Sequence, residues 1–199
     1  MTTRQRGRRT RNRILRAATA GFAEGGYDGT SVAEICRRAQ VSKGAFYHHF
    51  SGKQALFLEL LENWLKMLDR QLENIGQSGK PVPAQLLTMT DLIRDVFAAA
   101  QDQLPVFLEF WTRATYDSAT WEATIAPYRR YRGFFADIIS SGIEEGSLRS
   151  VDPDTAASVV VSLAIGLVLQ GLLDTEEANW GAVARRGMEM LLRGLEKKE

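Results

Sequence analysis

The sequence predicts an all-α protein, with a short basic three-helix unit ahead of a longer helical domain. Three observations predict it. Apolar residues recur three and four apart along most of the chain, and no run alternates apolar with polar over the length of a strand. Glycine and proline fall between these periodic segments. Charge is divided: residues 1–53 hold eleven Lys/Arg and three Asp/Glu, a net of +8, whereas residues 54–199 hold the remaining fourteen and twenty-one, a net of −7. A basic quarter on an acidic chain points to a polyanion partner for that quarter alone.

Composition narrows the class further. Hydrophobic residues make up 45% of the 199, enough for a packed core. The single cysteine, Cys36, excludes an intrachain disulfide and suits a reducing cytosol. The arginine-rich start lacks the apolar run of a secretory signal.

The first helix is expected from about Thr10 to Glu24, with Ile14, Leu15, Ala18 and Phe22 on its inner face and Gly25-Gly26 ending it. Ser31 followed by Glu34 fits a capping box for a second helix with Val32, Ile35, Cys36 and Ala39 inward; Thr30 is the rival cap. Gln40-Val41-Ser42 is a turn, and Ser42 caps a third helix over Lys43 to His49. Ser51 and Gln54 fit another capping box, opening a fourth helix to about Ile75. Its stripe is Leu56, Phe57, Leu60, Leu61, Trp64, Leu65, Leu68 and Leu72. Beyond the loop at 76–83, helices are expected near 84–101, 104–116, 119–144, 153–174 and 179–196.

Residues 155–173 carry no charge over nineteen positions, a length that spans a bilayer. Ser158, Ser162 and Gln170, and the absence of basic flanks, favour instead a helix buried in a bundle or a subunit interface. No membrane span is expected.

Helix, short turn, short helix is the helix-turn-helix plan, in which the second helix presents its first residues to base edges in the major groove. The stretch VSKGAFYHHF, residues 41–50, fits it. Gly44 and Ala45 leave room for close approach, Lys43 can donate to guanine or phosphate, and Ala45 can touch a thymine methyl. Phe46 and Phe50, four apart, root the helix in its core. Tyr47, His48 and Lys53 lie where they can donate to phosphates. The histidines have a second reading, as a packed or solvated helix end. The seven arginines from Arg4 to Arg16 have two readings as well: a solubilising tail, or an arm on DNA.

Metal and catalytic chemistry fare poorly. His48 and His49 are adjacent, so on a helix they project about 100° apart, and only Cys36 offers a soft ligand. No nucleophile elbow, phosphate loop or HExxH pattern is present. No catalytic residue, metal or cofactor is expected, and both histidines are remote in sequence from the C-terminal carboxylates an enzyme would use.

Residues 8–60 resemble the DNA-binding domain of TetR-type bacterial transcription regulators. The resemblance runs through Ile14-Leu15 with Ala17-Ala18, Phe22-Ala23-Glu24 with Gly26-Tyr27, Thr30-Ser31-Val32 with Ile35, and above all Val41 to Phe50 with Lys53 and Leu56. It implies an N-terminal three-helix DNA-binding unit with helix-turn-helix (residues 1–53) plus a C-terminal helical ligand-binding and dimerisation domain (residues 54–199). It implies that Thr30, Ser31, Ser42, Lys43, Gly44, Ala45, Tyr47, His48, His49 and Lys53 touch double-stranded DNA at a palindromic operator. It also implies a cytoplasmic homodimer paired through residues 155–173 and 179–196, most often acting as a repressor.

A small-molecule effector is implied by the same resemblance. Composition offers Trp64, Met67, Phe97, Phe107, Phe110, Trp111, Tyr131, Leu163 and Leu167 as apolar or aromatic lining, with Arg113, Gln170 and Glu109 as polar groups to orient a ligand. Most of these aromatics serve equally as plain core. The alternative function is a constitutive DNA-binding protein without an effector.

Overall fold

The computed structural model describes residues 3–100, 111–174 and 179–197, leaving aside the side chains of Thr3, 93–100 and Leu172. Among these residues every regular element is a helix: α1 (Thr3–Gly29), α2 (Val32–Ala39), α3 (Lys43–His49), α4 (Lys53–Gly76), α5 (Val82–Ala100), α6 (Ser118–Glu144), α7 (Pro153–Leu173) and α8 (Trp180–Leu195). Residues 111–114 are also helical. The only pairing of strand type among the described residues is an isolated bridge between Leu148 and Glu196.

The chain divides into two compact units. One takes in residues up to Lys66 with the described part of Ala100–Thr124; the other takes in Met67–Ala99 and Ile125–Glu199. The division falls inside α4, beyond the helix start at Lys53. The reason is packing: Leu56, Phe57 and Leu61 are buried with the core of the first unit, while Leu72 is buried with that of the second.

The first core gathers Ile14, Ala18 and Phe22 from α1, Ile35, Cys36 and Ala39 from α2, and Phe46 and Phe50 from α3 and its end. These are the positions that helical spacing predicts. The helix starts differ in two places. α1 begins at Thr3 rather than near Thr10, and its helical geometry breaks at Gly26 (φ 69°, ψ 172°), a left-handed φ that glycine adopts freely. At α4, Gln54 does not complete a box with Ser51; its amide donates to Asp117 at 3.0 Å, and the first helical bond runs from Leu56 N–H to the Gly52 carbonyl.

The second core is built from α4 to α8, with Leu86, Ile139, Leu148, Ala157, Val160 and Leu192 at its centre. Asp152 caps α7, accepting the Thr155 N–H at 2.8 Å, with Pro153 in the first turn, where its missing N–H costs no helical bond. Gly142 is required by close packing, because a Cβ there would stand 2.7 Å from Leu148 Cδ1. By length and composition α7 could cross a membrane, and a third of the apolar stretch Pro153–Gly171 is buried inside the fold. α7 and α8 pack on each other, with Gly187 against Leu163, and each keeps a bare apolar face. Val159, Leu169 and Leu173 on α7 and Val183 and Met190 on α8 are exposed.

Candidate nucleic-acid interface

The site grows from two caps and a root. Ser31 accepts the Glu34 N–H at 3.1 Å and starts α2; Ser42 accepts the Ala45 N–H at 3.1 Å and starts α3. The first box is half formed, because the Glu34 carboxylate turns to Arg37 and Arg38 at 2.7–2.9 Å. Between the helices Gln40 adopts a left-handed conformation (φ 51°, ψ 50°) and its N–H bonds back to Arg37 and Cys36 carbonyls. That closes α2 and aims the chain into α3.

α3 has one buried edge and one bare edge. Phe46 is fully buried and Phe50 nearly so, their rings 5.8 Å apart. Lys43, Gly44, Tyr47 and His48 are exposed, and Ala45 is half-buried. A short helix rooted by two aromatics with a small-residue N-terminus open to solvent is what a groove-reading helix needs. Cys36 is buried beneath it, and burial pushes its thiol pKa up, which makes it an unreactive core residue.

Three expected contacts are placed otherwise. Thr30 is only 3% exposed, and its hydroxyl lies 2.7 Å from the Gly21 carbonyl and 2.8 Å from that of Gly26, so it fastens the break in α1. Lys53 donates to the Tyr27 carbonyl at 2.6 Å and lies 4.1 Å from the centroid of the Tyr27 ring. His49 is half-buried, close to Gly7 of α1; burial, then the neighbouring His48 and Arg11, lower its pKa. The charge of His49 is thus disfavoured where it sits.

Sequence reading missed the anchors. Arg11 pairs with Glu59 and lies over the Phe50 ring. Arg13 donates to the carbonyls of Ala39 and Gln40, stopping the open end of α2. By sequence both belong to the basic arm, and no local pattern separates them from its other arginines.

The expected effector residues are not gathered into one unit. Trp64, Trp111 and Arg113 belong to the first, and Arg113 bonds Asp28 at 3.0 Å, which takes it away from the expected role of orienting a ligand. Met67, Tyr131, Leu163, Leu167 and Gln170 belong to the second. There Leu167 is buried, Leu163 half-buried, and Met67 and Gln170 exposed. The Tyr131 hydroxyl donates to Asp69 at 2.7 Å, beside Arg130, whose guanidinium meets both Asp69 oxygens at 2.9 Å. Burial, then the Asp69 bond, raises the Tyr131 pKa, so its phenol remains a donor. Phe107, Glu109, Phe110 and the side chain of Phe97 lie outside the described residues.

Comparison with known proteins agrees with this geometry. Residues 14–60 match the family model for bacterial regulatory proteins of the tetR family, and residues 83–195 match that for the C-terminal domain of BetI-type transcriptional repressors. The uncharacterized HTH-type transcriptional regulator YhgD of Bacillus subtilis is 26% identical over 155 residues, 78% of this chain and 80% of that protein. Two solved structures share the fold. A putative transcriptional regulator from Saccharomonospora viridis, in complex with choline, has TM-score 0.81 and 23% identity, covering 94% of this chain and 98% of that one. The regulator FadR from Bacillus subtilis, in complex with stearoyl-CoA, has TM-score 0.79 and 18% identity, covering 92% and 97%. With a capped and rooted reading helix in its first unit and a BetI-type match across more than half its length, the chain belongs to the TetR family of DNA-binding transcription regulators.

Proposed function

We propose that the protein is a cytoplasmic, homodimeric repressor that reads a palindromic operator with α3 and releases it on binding a small, largely apolar molecule. The observation that carries the DNA reading is the bare edge of α3, where Lys43, Gly44, Tyr47 and His48 stand clear of the core that Phe46 and Phe50 enter. Ser31, Ser42 and Ala45 complete the contacting set, through backbone N–H groups, a hydroxyl and a methyl. Thr30, His49 and Lys53 act by holding this surface in place.

The bare faces of α7 and α8 support the dimer. A membrane reading of α7 would leave the paired, equally bare face of α8 without an explanation. A homodimer covers both at once and sets two reading helices about 34–36 Å apart on one face of DNA. The functional division follows the charge: residues 1–53 read DNA, and residues 54–199 sense and pair.

The aromatic content of the second half supports an apolar or aromatic effector, and the choline and stearoyl-CoA complexes of fold neighbours give the first probes. A ligand that prefers a shifted α4 would change the spacing of the reading helices, because α4 contributes core residues to both units. Effector and operator would then oppose each other reciprocally, by about 1–3 kcal/mol.

The test is binding of the purified chain to DNA flanking its own gene against random DNA at equal salt, with a Lys43→Ala, Tyr47→Ala variant alongside. Tight binding to the flanking fragment, lost in the variant, supports a sequence-reading regulator. Equal weak binding to both overturns that reading for this DNA. Adding choline or stearoyl-CoA then tests release; operator affinity that no ligand alters would favour a constitutive DNA-binding protein.

A further inference from the structure

We propose that the N-terminal end of α1 is a second DNA-contacting element, a preformed helix on which Arg4 and Arg8 hold backbone phosphates just outside the half-site that α3 reads. The proposal rests on α3 being the reading helix.

Anchoring comes first. α1 is helical from Thr3. A Cβ on Gly7 would stand 3.8 Å from His49 Cε1, so α1 passes close to the end of α3 at that point. One turn later Arg11 is tied to Glu59 and Phe50, and Arg13 to the Ala39 and Gln40 carbonyls. The direction of the helix is therefore set by the same turn and core that set α3.

The arginines then sort into two groups. Arg11 and Arg13 hold the fold together. Arg4, Arg6, Arg8 and Arg16 are exposed and make no ion pair with any described residue. Stability does not account for them. Arg4 and Arg8 are four apart, where like charges repel. Arg4 also sits in the first turn, at the positive end of the helix dipole, where a cation is disfavoured, and that turn has no acidic residue to offset it. A polyanion removes both costs.

Helical spacing selects the pair. Arg4, Gly7 and Arg11 share one stripe, so Arg4 lies one turn beyond the contact with His49. Arg8 adjoins Gly7 and stacks on Arg4, about 6 Å along the axis. Arg6 and Arg9 lie on the other edge with Arg13, whose side chain runs back to the α2–α3 turn. Arg4 and Arg8 thus extend the surface beyond the point where α1 meets His49 at the end of α3.

Shape decides the kind of contact. A helix with its side chains is about 10–12 Å across. The minor groove is about 6 Å wide. A helical arm does not enter it, so the contact is with phosphates, for which the guanidinium fork is suited. Such contacts add affinity without base preference.

The experiment uses the full chain and the operator it selects from a duplex library with a randomised core. Affinity is measured across a salt series on two duplexes, one ending at the half-site edges and one extended by about half a helical turn, ~5 bp, on each side. The wild type should bind the longer duplex more tightly. An Arg4→Ala, Arg8→Ala variant should lose that gain and keep its base preference. Its salt slope should be shallower by about 1.8 per reading helix, two phosphates at about 0.9 each. Alanine is a strong helix former, and far-ultraviolet circular dichroism checks that α1 persists. A wild type indifferent to duplex length, with the variant's slope, overturns the arm while leaving the reading helix intact. Failure to select any operator overturns the reading helix and the arm together, and a Lys43→Ala chain that loses base preference on both duplexes upholds the reading helix separately.

Discussion

Arg113 lies over the ring of Tyr27, 4.0 Å from its centroid, and the same guanidinium bonds both carboxylate oxygens of Asp28 at 3.0 Å. The two attachments differ in strength. Asp28 has a side chain 84% exposed, so its ion pair contributes about 0–1 kcal/mol. The Tyr27 ring is buried, so the cation above it contributes about 1–2 kcal/mol. Arg113→Ala is therefore expected to lower unfolding stability by more than Asp28→Asn does. Urea denaturation of the two variants checks the order; equal effects would place the energy in the ion pair instead.

Thr30 and Gly21 form a second testable pair. A Cβ on Gly21 would stand 2.7 Å from Thr30 Cγ2, so Gly21→Ala forces the two apart and should cost about 1–3 kcal/mol. Thr30→Val keeps the shape and removes the hydroxyl, whose single proton serves one or the other of the Gly21 and Gly26 carbonyls, at about 1–3 kcal/mol. Thermal melts should show both variants less stable. A Thr30→Val protein that melts with the wild type and binds DNA more weakly would return this hydroxyl to the DNA-contacting set.

Acid should loosen the first unit through Glu34. Hydrogen bonds from Arg37, then Arg38, hold its carboxyl down to about 2 from an ordinary 4.5. The folded value is depressed, so the stability Glu34 lends is complete above its ordinary value and is lost as pH falls toward 2. The urea midpoint should decline through that window, and Glu34→Gln should flatten the decline. Parallel declines in wild type and variant would show the pairs do not persist in solution.

The bare faces of α7 and α8 give a prediction about mass. Val159 and Val183 are 45% and 39% exposed in the single chain. Sedimentation equilibrium should report twice the 22.2 kDa of one chain. Val159→Arg with Val183→Arg should return the single-chain mass, since an unpaired charge in an apolar interface is costly. A wild type that sediments as one chain would contradict pairing through this surface.

Local chemistry made much of this legible in the sequence. Phe46 and Phe50 declare themselves by spacing, and Ser31 and Ser42 by caps whose partners lie three residues on. The break in α1 follows from Gly26, at positive φ. What stayed hidden is tertiary. Thr30 and Lys53 look like surface donors until the break in α1 brings carbonyls of Gly21, Gly26 and Tyr27 to them. Arg113 is 85 positions from Asp28, and no periodicity links them. Arg11 and Arg13 read as two more charges in a basic arm until their anchors on α2, α4 and Phe50 are seen.

The early start of α1 has a thermodynamic consequence. Segments that fold only on meeting a partner lose conformational entropy at that moment and show a large negative heat-capacity change. Here residues from Thr3 onward are already helical in the free chain, and the ordering cost belongs to folding. Calorimetry of DNA association should therefore find a heat-capacity change set by the surface the two molecules bury, without an added contribution from coil becoming helix.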